Sequence, residues 1–221
     1  MKCCIIIPVY KLHPSRTDLL SIEQSIAVFH PHREMYYLCP EGMDLSAYPE
    51  LGVIEAPAAF FESRVSYSRL CCRPELYELL AAYDYMLLCQ HDVWVFRDEL
   101  DEFMALDCDY IGAPIVRCRG FSKERPLIGN GGLSLRRIQA HIEVCREHGP
   151  IRMEYDPEDV FFCLRRRMLL RVPPMEVAMR FSLEWAPDYY TGMMGGRLPM
   201  GCHRPWDLGF YDSFWKKYIP I

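Results

Sequence analysis

The chain has 221 residues, 51% hydrophobic and 25% charged, enough apolar surface to offset chain entropy and too little charge for a disordered polypeptide. Lys and Arg number 25 against 30 Asp and Glu, a formal charge of −5, and with no large basic block this argues against a nucleic-acid groove. No stretch free of Asp, Glu, Lys and Arg exceeds ten residues, far short of the ~20 that a membrane-spanning helix needs.

The first apolar run, Cys3 to Val9, is rich in isoleucine and predicts a buried strand. It is too short for a secretory leader and no small-residue cleavage site follows, so the expected location is the cytoplasm, with the inner face of the membrane as a peripheral variant. Ser15-Arg16-Thr17-Asp18 offers a capping-box start for a helix carrying Leu19, Ile22, Ile26 and Phe29 as far as Pro31. Strands are expected over Glu34 to Cys39, closed by the turn Pro40-Glu41-Gly42, and over Gly52 to Ala56. Pro74 opens a helix through Ala82, because proline at the first helical position loses no needed hydrogen bond. Tyr85 to Cys89 is the next buried strand. A helix over Asp98 to Leu106, a strand over Asp109 to Ala113, a glycine-rich segment over Ile128 to Leu133 and a helix from Leu135 to about His148, stopped by Gly149, continue the alternation. Pro157-Glu158-Asp159 opens a further helix. The last stretch, with Gly192, Gly195, Gly196 and Gly201 among aromatics, loses periodicity and predicts a loop-rich tail. Alternating strands and helices imply βαβ units around a mostly parallel sheet covered on both faces, an α/β fold.

Eleven cysteines are an odd number, and none form a C-x-x-C pair. Neither a structural zinc site nor a disulfide scaffold is indicated, and small buried hydrophobes in a reducing compartment are expected.

Several segments could carry chemistry. In Tyr85-Met86-Leu87-Leu88-Cys89-Gln90-His91-Asp92 a buried strand delivers Asp92 to the carboxyl end of the sheet, the edge where open α/β folds bind ligands. An aspartate there can hold a divalent cation that stabilises a diphosphate leaving group, or it can merely cap a turn. Ile128-Gly129-Asn130-Gly131-Gly132-Leu133 lets backbone approach a ligand, and a helix start after it would favour negative charge; a plain tight turn is the alternative. Its spacing is neither a P-loop nor a dinucleotide fingerprint. Glu158-Asp159 places two carboxylates at a helix start, suited to proton transfer or simply to the helix dipole. His203, in Gly201-Cys202-His203, is a histidine that can ligate a metal or play a structural part.

Gln90-His91-Asp92 followed by Val93-Trp94-Val95-Phe96 resembles the D-x-D element of nucleotide-sugar-dependent glycosyltransferases of the GT-A fold, with Gln90 in the first acidic position. Ile5-Ile6-Ile7-Pro8-Val9-Tyr10-Lys11 is similar to the I-P-V-Y-N start of many such enzymes, and Gly131-Gly132-Leu133-Ser134-Leu135 to their sugar-pocket loop. With Phe61…Tyr67-Ser68-Arg69-Leu70, Asp109-Tyr110-Ile111-Gly112, Glu158-Asp159-Val160-Phe161-Phe162, Phe181-Ser182-x-Glu184 and Gly201-Cys202-His203, the ordered set resembles a bacterial glycosyltransferase-like family long classed as a domain of unknown function.

The resemblance implies a single GT-A-like, Rossmann-like domain over residues 1–221, with residues 1–115 as the nucleotide-binding half and 116–221 as the acceptor and catalytic half. It implies a hexosyltransferase-type enzyme, metal-dependent and inverting, that moves a sugar from a nucleotide diphosphate, a UDP-sugar foremost, to a glycan or glycoconjugate in surface polysaccharide assembly. Pro8, Val9, Tyr10, Lys11, Arg69, Gln90, His91 and Asp92 would contact the donor, and Asn130, Gly131 and Gly132 would shape the sugar pocket. Asp92 and His203 would hold Mn²⁺ or Mg²⁺, with His91 as an alternative ligand pointing the other way along the chain. Asp159 would take the acceptor proton, with Glu158 second in line. Gln90 in place of an acid favours the alternative of a catalytically inactive nucleotide-sugar-binding or scaffolding protein. A metal-dependent phosphoesterase would want more clustered ligands. Phe214-Trp215-Lys216-Lys217-Tyr218 offers a weak peripheral membrane contact, in competition with packing onto the domain.

Overall fold

A computed structural model describes residues 1–148, 157–207 and 209–220. The isoleucine run forms β1 (Cys3–Pro8), buried at every position. The capping box starts α1 (Arg16–Phe29): the Ser15 hydroxyl accepts from the Asp18 amide at 3.1 Å, and the Asp18 carboxylate accepts from the Ser15 amide at 2.8 Å. β2 (Glu34–Pro40) and β3 (Gly52–Ala56) follow, then α2 (Arg64–Cys71) behind a Ser63 cap, and α3 (Pro74–Glu78) behind its proline. β4 (Tyr85–Cys89) runs through a three-residue turn, Gln90-His91-Asp92, into β5 (Val93–Val95). Next come α4 (Leu100–Met104), β6 (Tyr110–Gly112), the short pair β7 (Pro114–Ile115) and β8 (Leu127–Ile128), β9 (Leu133–Arg137) and α5 (Ile138–His148). α6 (Glu158–Val160) passes directly into a π-helical turn, Phe161–Arg165. α7 (Met175–Phe181), β10 (Ser182–Leu183), α8 (Pro187–Met193), β11 (Gly201–His203) and α9 (Phe210–Ser213) complete the chain.

The central sheet has six strands in the order β3-β2-β1-β4-β9-β6. β1, β2, β3 and β4 pair in parallel, and β9 runs antiparallel between β4 and β6. Because strand side chains alternate between faces, Cys4, Ile6, Met86 and Leu88 pack with α3 and α5 on one face, while Ile5, Ile7, Leu87, Leu133 and Leu135 pack with α1 and α4 on the other. The α/β, mostly parallel, helix-flanked architecture is the one expected. A second sheet, β10-β11-β5, stands beside it, with β11 parallel to β10 and antiparallel to β5.

Two expectations are corrected. The helix predicted from Leu135 begins only at Ile138, because Leu133 to Arg137 alternates in period two and pairs with both β4 and β6. The glycine segment therefore feeds a strand rather than a helix. The loop-rich tail also gives way to order: α8, β11 and α9 pack around a third apolar cluster centred on Trp215, which stacks on Phe96 at 5.9 Å between ring centroids. Phe214 and Trp215, offered for a membrane surface, point into that cluster. The stop at Gly149 and the Tyr155-Asp156 lead into the acidic pair lie outside the described residues. All eleven cysteines are free thiols, nine of them buried, and among the described residues no helix is long and apolar enough to cross a membrane.

Trp215→Ala removes a fully buried indole and is expected to cost about 3–5 kcal/mol, measured as the loss of unfolding free energy in urea.

Candidate active site

The turn after β4 is where the two sheets meet, and their registers assemble the site. β11 pairs with β5 so that His203 lies opposite Val93, and the Arg204 amide donates to the Asp92 carbonyl at 2.9 Å, extending the ladder by one residue. Asp92 and His203, far apart in sequence, thereby become cross-strand neighbours: the His203 Nε2 stands 3.3 Å from the Asp92 Oδ1. β10 pairs with β11 through Leu183 and Cys202, and Glu184, the next residue, brings its Oε1 to 3.5 Å from the His203 Nδ1. The Asn130 amide donates to the other Glu184 oxygen at 2.6 Å, and the Gln90 amide donates to the Gly132 carbonyl at 2.9 Å. The glycine loop is thus tied to the Asp92 turn through Gly132 and to Glu184 through the Asn130 side chain. A Cβ on Gly132 would collide with the His203 ring, and one on Gly131 with the Glu158 carboxylate; these glycines are required by close approach.

Two adjoining cavities open at this edge. The larger, about 520 Å³, is lined by Pro8, Tyr10, Lys11, Phe61, Arg64, Tyr67, Gln90, His91, Asp92 and Arg204, a size typical of small-molecule sites. The smaller, about 230 Å³, shares Arg64, Tyr67, Gln90, Asp92 and Arg204 and adds Asn130, Gly131, Gly132, Glu158, Asp159, Glu184 and His203. Asp92, His203 and the acidic pair therefore line one cavity. Lys11 donates to Asp18 at 2.8 Å, and His91 turns away from His203 to stand 3.6 Å from Asp18 and edge-on to Tyr10. Val9 and Arg69 lie elsewhere. Val9 is buried in the core beneath β1, and Arg69 is exposed on α2, whose Arg64 and Tyr67 are the residues that face the cavities.

The two acidic residues of α6 are in different situations. Glu158 is buried, with one oxygen 3.2 Å from the Arg136 guanidinium and the other accepting from Ser68 at 3.1 Å. Arg136 has no exposed surface; it also donates to Tyr77 and Ser134, and its guanidinium lies over the Tyr110 and Phe162 rings. Asp159 accepts from the Val160 amide at 2.7 Å and the Gly131 amide at 3.4 Å. Burial, reinforced by the adjacent Glu158 charge and only partly offset by those amides, pushes its carboxyl up to about 7. Asp92 moves the opposite way: burial resists its ionisation, but His203 outweighs that and holds the carboxyl well below the usual range. His203 is raised in turn, burial being overcome by Asp92 and Glu184.

The donor set fits a divalent cation. The Asp92 Oδ1 and both His203 nitrogens are buried without a hydrogen-bond partner, and 3.3 Å between the facing atoms matches the ~3 Å between adjacent ligands of an octahedral ion with ~2.1 Å bonds. Glu184, its Oε1 3.5 Å from the far nitrogen, stands where a carboxylate would orient a metal-binding histidine. Among the described residues no three His, Cys, Asp or Glu side chains form a complete metal cage, so the remaining ligands would come from solvent or substrate.

Arg64, Arg136, Glu184 and Arg204 carry no signal in the sequence that marks them for the site. Glu184 closes the Phe181-Ser182-x-Glu184 motif and Arg136 directly follows Gly131-Gly132-Leu133-Ser134-Leu135, but only the β10–β11 and β4–β9 registers reveal what they face.

Fold and site together define an α/β domain of GT-A-like fold with an acidic, histidine-bearing cleft at the carboxyl edge of its sheet. Residues 50–203 match the model of a family described as a protein of unknown function, DUF5672, and the chain belongs to that family. Mouse xyloside xylosyltransferase 1 in its apo form has a similar fold, with a TM-score of 0.56 at 10% identity over 92% of this chain and 97% of that one. The apo glycosyltransferase GlyE of Streptococcus pneumoniae TIGR4 is also similar, with a TM-score of 0.55 at 12% identity, 98% of this chain aligning with 60% of GlyE. No curated protein sequence matches the chain.

The Gly132→Ala change is expected to cost about 1–3 kcal/mol by overpacking, and His203→Ala in the same chain to recover most of that loss, which a double-mutant cycle of chemical unfolding measures. Asp159 binds its proton more tightly in the folded than in the unfolded protein, so the stability it contributes is present at low pH and is lost as pH rises from 3.8 through about 7. Asp159→Asn should therefore raise the melting temperature at pH 8 and leave it little changed below pH 4, a difference on the order of 1–3 kcal/mol after allowance for partial exposure.

Proposed function

We propose that the protein is a metal-dependent, inverting glycosyltransferase that uses a nucleotide diphosphate sugar, a UDP-sugar foremost, and acts in the cytoplasm on a glycan or glycoconjugate acceptor of surface polysaccharide assembly. The observation that carries this is the convergence of Asp92, His203 and Asp159, from three distant stretches of chain, on one cavity at the carboxyl edge of the sheet. The fold shared with glycosyltransferases supports it.

In this proposal the larger cavity receives the nucleotide, against Pro8, Tyr10 and Lys11, and the smaller one the sugar and the acceptor hydroxyl. Mn²⁺ or Mg²⁺ held by Asp92 and His203 would neutralise charge on the departing diphosphate. Arg204 and Arg64, on the wall common to both cavities, add fixed positive charge beside it. Asp159 accepts the proton of the acceptor hydroxyl as that oxygen bonds the anomeric carbon and the carbon–diphosphate oxygen bond breaks, inverting the configuration. A carboxyl raised to about 7 suits such a base, since its proton affinity is matched to neutral pH. Glu158, with both oxygens engaged by Arg136 and Ser68, is assigned to positioning.

Asp92→Ala should abolish transfer while leaving the protein folded, and EDTA should abolish transfer by the unaltered protein. A thermal-shift panel of UDP, GDP, CMP and TDP sugars should show stabilisation dependent on Mn²⁺, ~2.7 kcal/mol at 100 times the Kd. Transfer that survives both EDTA and Asp92→Ala would end the metal role, and a product retaining the donor's anomeric configuration would end the base role of Asp159.

A further inference from the structure

The Asp18 carboxylate reaches further than its place in the capping box of α1 requires. α2 makes the same box from hydroxyls alone, Ser63 and Ser66, whereas Asp18 puts a charge there and is only 6% exposed. Beyond the Ser15 amide it meets side chains from two other parts of the chain. Lys11, in the loop after β1, donates to its Oδ2 at 2.8 Å, and His91, in the turn after β4, brings Nε2 to 3.6 Å from its Oδ1. Burial resists ionisation of Asp18, but the hydrogen bonds from Lys11 and Ser15 outweigh it and hold the carboxyl below its ordinary range.

Lys11 and His91 line the larger cavity beside Tyr10, and Asp18 stands behind them. Tyr10 is 49% exposed and meets the His91 ring edge-to-face, 5.4 Å between centroids. The Lys11 backbone is held too, its carbonyl accepting from the Tyr48 hydroxyl. A buried carboxylate fixed by the first turn of a helix thus sets where an ammonium and, through an imidazole, an aromatic ring stand in one wall. Those groups suit a nucleoside: a base stacks on an aromatic face, and an ammonium has donors to spare, beyond the one Asp18 accepts, for ribose hydroxyls and base carbonyls. We propose that Asp18 is a positioning residue for the nucleoside end of the donor, acting through Lys11 and, by way of His91, through Tyr10. The inference rests on the larger cavity being the nucleotide site. It ties Asp18 to recognition of the nucleoside and not of the diphosphate, which is assigned to Asp92, His203, Arg64 and Arg204.

Calorimetric titration of the full chain with UDP and, separately, with inorganic diphosphate, both with Mn²⁺ present, tests it. Asp18→Asn keeps an oxygen to accept from the Ser15 amide but loses the charge that holds Lys11. It is expected to weaken UDP binding at least about tenfold, the order of a lost charge-assisted hydrogen bond, and to leave inorganic diphosphate unchanged. Ser15→Ala removes the hydroxyl of the capping box and leaves the carboxylate, so it should lower the melting temperature while UDP binds as it does to the unaltered chain, a split that a purely structural part for Asp18 does not produce. The inference is overturned if Asp18→Asn leaves UDP affinity intact or raises it by freeing Lys11, if it weakens UDP and inorganic diphosphate alike, or if Ser15→Ala weakens UDP as much. Failure of UDP, GDP and TDP to bind the unaltered chain would overturn the donor assignment itself, and this inference with it.

Discussion

A guanidinium with no exposed surface sits on one face of the central sheet, and four elements of the domain are arranged around keeping it satisfied. Removing such a charge from water costs several kcal/mol unless partners surround it. Arg136 finds them in Ser134 on its own strand, Tyr77 on α3 and Glu158 on α6, with Ser68 on α2 completing the shell of Glu158. Four elements are drawn to one point, and the acidic pair is divided as a result. Both line the smaller cavity, but Glu158 is engaged by the buried ion pair, whereas Asp159, one residue on, accepts from the Gly131 amide of the glycine loop.

The same cleft sets two carboxylates apart by environment. Both resist ionisation through burial, but Asp92 has an imidazole at 3.3 Å and stays ionised, whereas Asp159 has another carboxylate beside it and holds its proton to near neutrality. Pairs of acids separated in this way are how a single site accommodates a fixed negative ligand and a proton acceptor at one pH. Glu184, hydrogen-bonded by Asn130, adds a third buried carboxylate whose place is behind His203.

Much of this was legible in the residues alone. The strand ending at Asp92, the capping box at Ser15 and the proline start of α3 are local signals, and local signals survive folding. The strand β9 was not legible as a strand. Its Ser134 and Arg136 look like the polar face of a helix, and only the buried ion pair explains why arginine occupies a central strand. Arg69 illustrates a related difficulty: on a helix two turns long, the face toward the cavity is set by packing, and Arg64 and Tyr67 hold it. Glu184 could be placed beside His203 only once the register of two- and three-residue strands was known, a length at which hydrophobic periodicity carries no information.

The turn Gln90-His91-Asp92 joins two sheets that each draw strands from opposite ends of the chain. β4, from the first half, is zipped to β9 of the second, and β5 is zipped to β11. A chain cut between residues 115 and 116 would leave one fragment with the raw edges of β4 and β5 and the other with β9 severed from both its neighbours and β11 from one of its two. Neither fragment could close its core alone. The two halves of the chain are thus one folding unit rather than modules that could be exchanged separately, and recombination within this family would have to replace loops around the cleft while leaving the interleaved strands together.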